Sequence, residues 1–446
     1  MEAKRKSASR LASSLLLIMM ALAIVVAGCS SGSGKSEPGG SEQAAAPPDS
    51  AKNDGTSTGE KVTIRFGIAM DPARYEPYKK VVDKWNAEHP NIEVKLENTP
   101  WSDYWQKLQV LTASNSMPDV WNYVPGFGAQ WLLNDQLLPL DEFIAQDPDA
   151  NLDDLQPAMR EYMTYKGKFY GFPYDFAALV LIYNKDLFDQ AGLDYPTDDW
   201  TFDDVRNAAI AITERVKSDK GKVYGLLSTM GNLDWISDSY YHAFGASLIT
   251  EDGKFGANNE GGVQTLQYFK DNIDMGITPK PEPGGGMNQS LWISGLVGMV
   301  IDGAWAIPTY EEVDFDWDMA QFPLGPAGRH NVSIGGTFVI SNQTKHPKEA
   351  YEFLKYVTNT ENLSEIVAKT GAGVPGRRSS EAALSPKMKK YAELIADTKP
   401  YNAIIGSLEL FTIQQKEVEA VWFGVKTPEE ALASIEAQAN EVLKAH

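Results

Sequence analysis

Residues 61–100 read KVTIRFGIAMDPARYEPYKKVVDKWNAEHPNIEVKLENTP, and the fold is decided there. Val62, Ile64, Phe66 and Ile68 alternate with Thr63, Arg65 and Gly67, which is the period of a β-strand. A helical stretch follows near Glu76–Glu88, and His89-Pro90 stops it, because proline has no N–H for the next turn. Ile92-Glu93-Val94-Lys95-Leu96 alternates again. A helix over Ser102–Ser114 then leads into a short third strand, Met117-Pro118-Asp119-Val120-Trp121-Asn122. Strands that alternate with helices in this way predict a parallel α/β sheet. Further along, Thr427-Pro428-Glu429-Glu430 is a capping box with proline at the first helical position, and Thr201 precedes Asp203 and Asp204 as another helix start.

The whole chain has 446 residues, room for about two or three domains. With 43% hydrophobic and 22% charged residues, neither disorder throughout nor a fibrous repeat fits. No internal repeat of about 20–50 residues is present. The formal net charge of -20 argues against nucleic acid, since a phosphate backbone needs a basic surface. One cysteine, Cys29, allows no internal disulfide and no Cys/His zinc motif. The 11 Trp, 19 Tyr and 17 Phe are enough to fill cores and still line a cleft.

The N-terminus has its own logic. Lys4, Arg5, Lys6 and Arg10 precede an almost wholly apolar run from Leu11 to Val26, too short for an ordinary membrane span. The run ends in Val26-Ala27-Gly28-Cys29, which resembles the lipobox of bacterial lipoproteins: residues 1–28 are removed and Cys29 is lipidated. A diacylglyceryl group brings two acyl chains, enough for stable anchoring. Loss of Lys4, Arg5, Lys6 and Arg10 against Glu2 removes a net +3, taking the charge from -20 to -23. Residues 29–60 are then a disordered tether: past Cys29 they hold no aromatic or branched aliphatic residue, and so cannot bury enough apolar surface to fold.

Several patterns carry no chemistry. Gly371-Ala-Gly373-Val-Pro-Gly376 has dinucleotide spacing, but no strand precedes it and Pro375 stands where the binding helix would begin. Asp147 to Asp153 resembles half a calcium loop, yet lacks the central glycine, and Ala158 replaces the bidentate acid. No G-x-S-x-G elbow occurs, and the five histidines are scattered. We therefore expect no metal, no cofactor and no enzyme.

The order of the remaining landmarks resembles the family 1 extracellular solute-binding proteins of ABC-type sugar importers, the group that includes the maltodextrin-binding proteins. The carrying segments are Met117-Pro-Asp119-Val, Gly171-Phe-Pro-Tyr174-Asp175, Leu181-Ile-Tyr-Asn184-Lys185-Asp-Leu-Phe188, Ser294-Gly-Leu-Val-Gly-Met299, Asp302-Gly303-Ala-Trp305, Gly335-Gly336 and Lys348-Glu-Ala-Tyr-Glu-Phe-Leu354. The resemblance implies an α/β fold of the two-lobe periplasmic-binding-protein type (type II), with a ligand cleft between the lobes. Residues 61–175 and 322–371 would form the N-lobe, and 176–321 and 372–446 the C-lobe. Chain crossings are expected near Tyr174–Phe176, Gln321–Pro323 and Gly371–Gly376.

The resemblance also implies ligand contacts. Leu296–Ile301 reads as a buried strand and Asp302-Gly303 as a turn, which leaves Trp305 at the strand's carboxyl edge, where its ring would stack on a sugar. Tyr174 and Asp175 fall at the first crossing, where Asp175 could accept from two hydroxyls or cap a helix. Asn122 and Tyr123 end the third strand. Asp71 follows the first and equally suits the cap of the next helix. Trp235 falls where contacts from the C-lobe arise, and Trp101 is either a contact or a cover over the N-lobe core. Gly336 would let a backbone N–H approach the ligand, and Arg377 would fork two hydroxyls or hold the hinge. Gly126 and Phe127 stand where maltodextrin binders carry an acidic–basic pair, which argues against maltose itself but not against sugars. Trp121, Phe127 and Trp131 suit either an oligosaccharide or the core.

The expected function is capture of a carbohydrate, an oligosaccharide by preference, and its delivery to the permease subunits of an ABC importer. The protein would be a monomer outside the cytoplasm, held to a Gram-positive cell membrane only by its lipid. The alternatives are the same fold with a non-sugar solute, a surface glycosidase, and a sensor that presents sugar to a membrane kinase.

Overall fold

The computed structural model describes residues 61–227, 234–281, 289–401 and 407–444, so the leader, Cys29 and the tether lie outside the described residues. The chain begins β1 (Val62–Ile68), α1 (Pro72–Glu88), β2 (Ile92–Asn98), α2 (Trp101–Ala113), β3 (Val120–Tyr123) and α3 (Pro125–Leu133). After α4 (Pro157–Tyr162) come β4 (Gly171–Pro173), β5 (Asp175–Ala178) and β6 (Val180–Asn184), separated by single residues. Then follow α5 (Phe202–Arg215), β7 (Tyr224–Leu227), α6 (Glu260–Asp274), β8 (Val297–Asp302), β9 (Trp317–Gln321), β10 (Val332–Ile334) and β11 (Thr337–Ile340). The chain closes with α7 (Pro347–Val357), β12 (Val374–Pro375), α8 (Pro386–Leu394), β13 (Lys399–Pro400), α9 (Ser407–Trp422) and α10 (Pro428–Lys444).

The opening segment forms as its pattern predicts, with one shift. Helix α1 starts at Pro72, before the expected Glu76, because Asp71 caps it by accepting from the Arg74 N–H at 3.0 Å and Pro72 supplies the first helical position. The capping box at Thr201–Asp204 opens α5, and Thr427 and Glu430 exchange the same pair of bonds ahead of α10.

Two sheets make two lobes. The first has the order β2-β1-β3-β11-β4, with β1, β2 and β3 parallel and β11 antiparallel to both of its neighbours. The sheet is thus mixed, not wholly parallel, because a strand from far along the chain returns between β3 and β4. Its core is aromatic: Phe66 lies edge-on to Phe338 at 4.9 Å and to Phe353 at 5.0 Å. The second sheet, β9-β6-β8-β7, pairs β8 antiparallel to β6 and parallel to β7. Its strands are buried apolar runs, and α6, α9 and α10 pack together beside it.

A third, small sheet, β12-β5-β10-β13, joins the lobes. Tyr174 alone separates β4 of the first sheet from β5, and Leu179 alone separates β5 from β6 of the second. On the return, β10 follows β9 and passes through Gly335-Gly336 into β11. The lobes therefore share short linking strands through which rotation of one against the other must pass.

Candidate functional site

Three strand ends reach the hinge: the helix after β1 through Arg74–Asp175 at 3.2 Å, β3 through Asn122–Tyr174 at 2.9 Å, and β8 through the turn that follows it. Beyond β8 the chain makes a tight turn at Ala304–Ala306 and a short helix, Ile307–Tyr310. The turn packs against β5 and the helix against α1, so Trp305 is carried to the seam. Its ring is half-buried and lies over Gly303: a Cβ there would come within 2.1 Å of the indole. Any side chain in place of Gly303 would collide with the ring, so glycine is what lets the indole come this close to the main chain. Asp302, fully buried, lies beside the ring. Its carboxylate takes hydrogen bonds from the Tyr310 hydroxyl at 2.6 Å and the Gly303 N–H at 2.8 Å, and the side chains of Trp305 and Gln289 stand near enough to stabilise its charge. Burial pushes its pKa up to about 6 against the pull of those donors.

On the other side of the seam the expected contacts at Tyr174, Asp175, Gly336 and Arg377 are occupied by the protein itself. Asp175 accepts from the Gly336 N–H at 2.7 Å and pairs with Arg74 at 3.2 Å; burial nonetheless raises its pKa. The N–H of Gly336, expected to face the ligand, is therefore spent on Asp175. Gly336 is needed for a different reason: a Cβ would sit 1.9 Å from the ring of Tyr174. That ring is buried, stacks on Phe338 at 4.6 Å, and its hydroxyl accepts from Asn122 at 2.9 Å. Arg377 is 4% exposed and spends three donors on the carbonyls of Thr358, Ala150 and Asn151. It binds backbone, which leaves no fork for two hydroxyls.

Asn122 and Tyr123 end β3 fully buried, paired across to Phe338 and Thr337 of β11. Asn122 Oδ1, the Tyr123 hydroxyl and Thr337 Oγ1 are buried without a hydrogen-bond partner among the described residues. Buried polar atoms are rarely left so; the Tyr123 and Thr337 side chains, paired across β3 and β11, share one face of the sheet, and Asn122 lies on the other. Asp71 is exposed and serves as the helix cap. Trp121 and Trp131 are core residues, 0% and 1% exposed. Trp101 is 39% exposed, edge-on to Trp105 at 5.3 Å and to Phe127 at 5.5 Å. Phe127 in turn meets Phe411 of α9 at 6.0 Å, where α9 lies against α3. Sequence reasoning missed Phe411, since nothing local says that α9 folds back to this edge. Trp235 belongs to the helix Asp234–Ala243, and its side chain lies outside the described residues.

Two α/β lobes on a shared hinge sheet, with strand ends facing one seam, define the two-lobe type II binding-protein fold. Residues 71–363 match the sequence model of the bacterial extracellular solute-binding proteins, and the chain belongs to that family. Among curated relatives, the maltodextrin-binding protein of Bacillus subtilis is 24% identical over 363 residues, covering 77% of this chain and 81% of the relative. The arabinooligosaccharide-binding protein of the same organism is 28% identical over 300 residues, covering 64% and 66%. The fold is similar to a substrate-binding protein of Listeria monocytogenes solved with cycloalternan (TM-score 0.77, 24% identity, 86% of this chain and 99% of that one). It is also similar to a receptor of Streptomyces glaucescens solved unliganded and with acarbose (TM-score 0.76, 24% identity, 86% and 99%).

Proposed function

We propose that this protein captures an oligosaccharide between its lobes, closes on it, and hands it to the permease of an ABC importer without chemical change. The observation that carries the reading is the ring of Trp305: half-buried, lying over Gly303 and beside Asp302, on a turn that packs against the hinge strand β5. A flat aromatic suits the C–H face of a pyranose, and aromatic burial costs little conformational entropy. Trp101, on α2, and Phe411, on α9, approach each other through Phe127 and add further aromatic surface. Asn122, Tyr123 and Asp71 lie at the strand ends, and Trp235 stays with them as a contact from the second lobe. Asp175, Gly336, Tyr174 and Arg377 hold the frame behind that surface. The oligosaccharide ligands named for the relatives and for the solved neighbours support the same class.

The N-terminal reading belongs with it. Cys29 carries the lipid, residues 29–60 the tether, and the working body faces outward from a Gram-positive membrane as a monomer. A receptor that closes on its cargo needs differential affinity for the closed state; reversing a 99:1 preference takes about 5.5 kcal/mol.

The test is a thermal-shift screen of the protein against maltotriose, mannotriose, arabinotriose and their monosaccharides. A ligand at about 100 times its Kd adds about 2.7 kcal/mol of apparent stability. A rise in Tm with one glycan series, lost in Trp305→Ala and with the glycan recovered intact, is expected. Cleaved glycan would point to a glycosidase, and no response to any sugar to a different solute.

A further inference from the structure

We propose that Asp302 is a positioning residue: its carboxylate fixes the plane of the Trp305 ring and so makes the stacking surface ready before ligand arrives. This rests on the reading of Trp305 as a ligand contact, and part of its test does not depend on that reading.

An ionised carboxylate offers about four lone-pair sites. On Asp302 the Tyr310 hydroxyl at 2.6 Å and the Gly303 N–H at 2.8 Å take two of them, and the polar side chains of Gln289 and Trp305 lie close enough to favour its charged form. Sheet pairing fixes the carboxylate itself, because Asp302 ends β8 opposite Val180 of β6. Gly303 and Tyr310 are buried, while Gln289 and Trp305 are half-buried, so these two are the partners with room to leave. The ring thus has two neighbours that restrict it, the main chain at Gly303 and the carboxylate of Asp302.

That restriction should answer to acid. A proton on the carboxylate takes up an acceptor site and weakens its hold on the donors around it. The titratable groups that face Asp302 are Tyr310, from the short helix, and Tyr391, from α8, whose hydroxyl also meets the Ala304 N–H at 3.3 Å and Ala178. No basic side chain among the described residues forms an ion pair with it. Because burial holds its pKa near 6, the release falls in a mild range. The sign for folding is the reverse. A carboxyl whose folded pKa lies above its unfolded value adds stability as pH falls through the folded pKa, so weaker binding in mild acid would not come from this group unfolding the protein.

The experiment uses the full-length chain in detergent, labelled with ¹⁵N at the indole nitrogens, and identifies the Trp305 signal by its loss in Trp305→Phe. On lowering the pH from about 8 to about 5, that signal should move through one transition near pH 6. Asp302→Asn should abolish the transition. Tyr310→Phe, which removes a donor to the carboxylate, should move it to higher pH; loose packing alone would not. In a second arm, maltotriose, mannotriose and arabinotriose are titrated by calorimetry. Loss of one hydrogen bond behind the ring predicts affinity about fivefold weaker at about pH 5 than at about pH 7, and no pH dependence in Asp302→Asn. A Trp305 signal that ignores pH in the parent protein would overturn the proposal, as would a sugar affinity that is flat with pH while the signal titrates. A titrating signal with no sugar bound at any pH supports the positioning role and counts instead against the oligosaccharide reading.

Discussion

Arg74 and Asp175 meet almost out of water, at 12% and 11% side-chain exposure, where the first turn of α1 touches the start of the hinge strand β5. Burial works against the carboxylate and raises its pKa, with Arg74 and the Gly336 N–H pulling the other way. Removing the cation while leaving the anion is the costly change. We expect Arg74→Met to lose about 3–5 kcal/mol at neutral pH by chemical denaturation. The deficit should shrink in mild acid, because Asp175, its pKa raised further, takes up a proton in the folded state and stability then rises as pH falls. A deficit that grows with acid would show that another group dominates. Asp175 was legible in the sequence as an acid at a lobe crossing. Its partner was not, since Arg74 lies a hundred residues away and only the packing of α1 on the hinge brings them together.

At the scale of elements, the junction of β10 and β11 carries the most consequence for its length. Gly335-Gly336 was readable as a break before a strand. Its insertion antiparallel between β3 and β4 was not, because strand order comes from pairing between distant segments. The same pairing fills the space above Gly336 with the ring of Tyr174. Gly336→Ala must push that ring off Phe338, and we expect a loss of about 1–3 kcal/mol. A midpoint in denaturant unchanged from the parent protein would mean that the ring yields without cost. Helix starts, by contrast, were plain from sequence: Thr201 and Thr427 cap through their own neighbours three residues on, with no help from the rest of the fold.

At the scale of the whole molecule, the proposed closure on a ligand has a shape signature. Small-angle scattering on the protein with a saturating glycan from the thermal screen should give a smaller radius of gyration than without it. Phe411→Ala, on the lobe edge opposite Trp101, should bind more weakly while its unliganded radius stays the same. An unchanged radius in the parent protein would argue that the lobes are already closed before ligand enters. The sequence alone determined what rests on short-range chemistry: the βα alternation, the caps, the lipobox-like leader, and a tryptophan placed at a strand end by a local turn. Tertiary structure decided how the polar candidates are engaged. Tyr174, Asp175, Gly336 and Arg377 have the right chemistry for a sugar, and each is drawn to a buried neighbour, because a polar group left unpaired in a low-dielectric interior is costly.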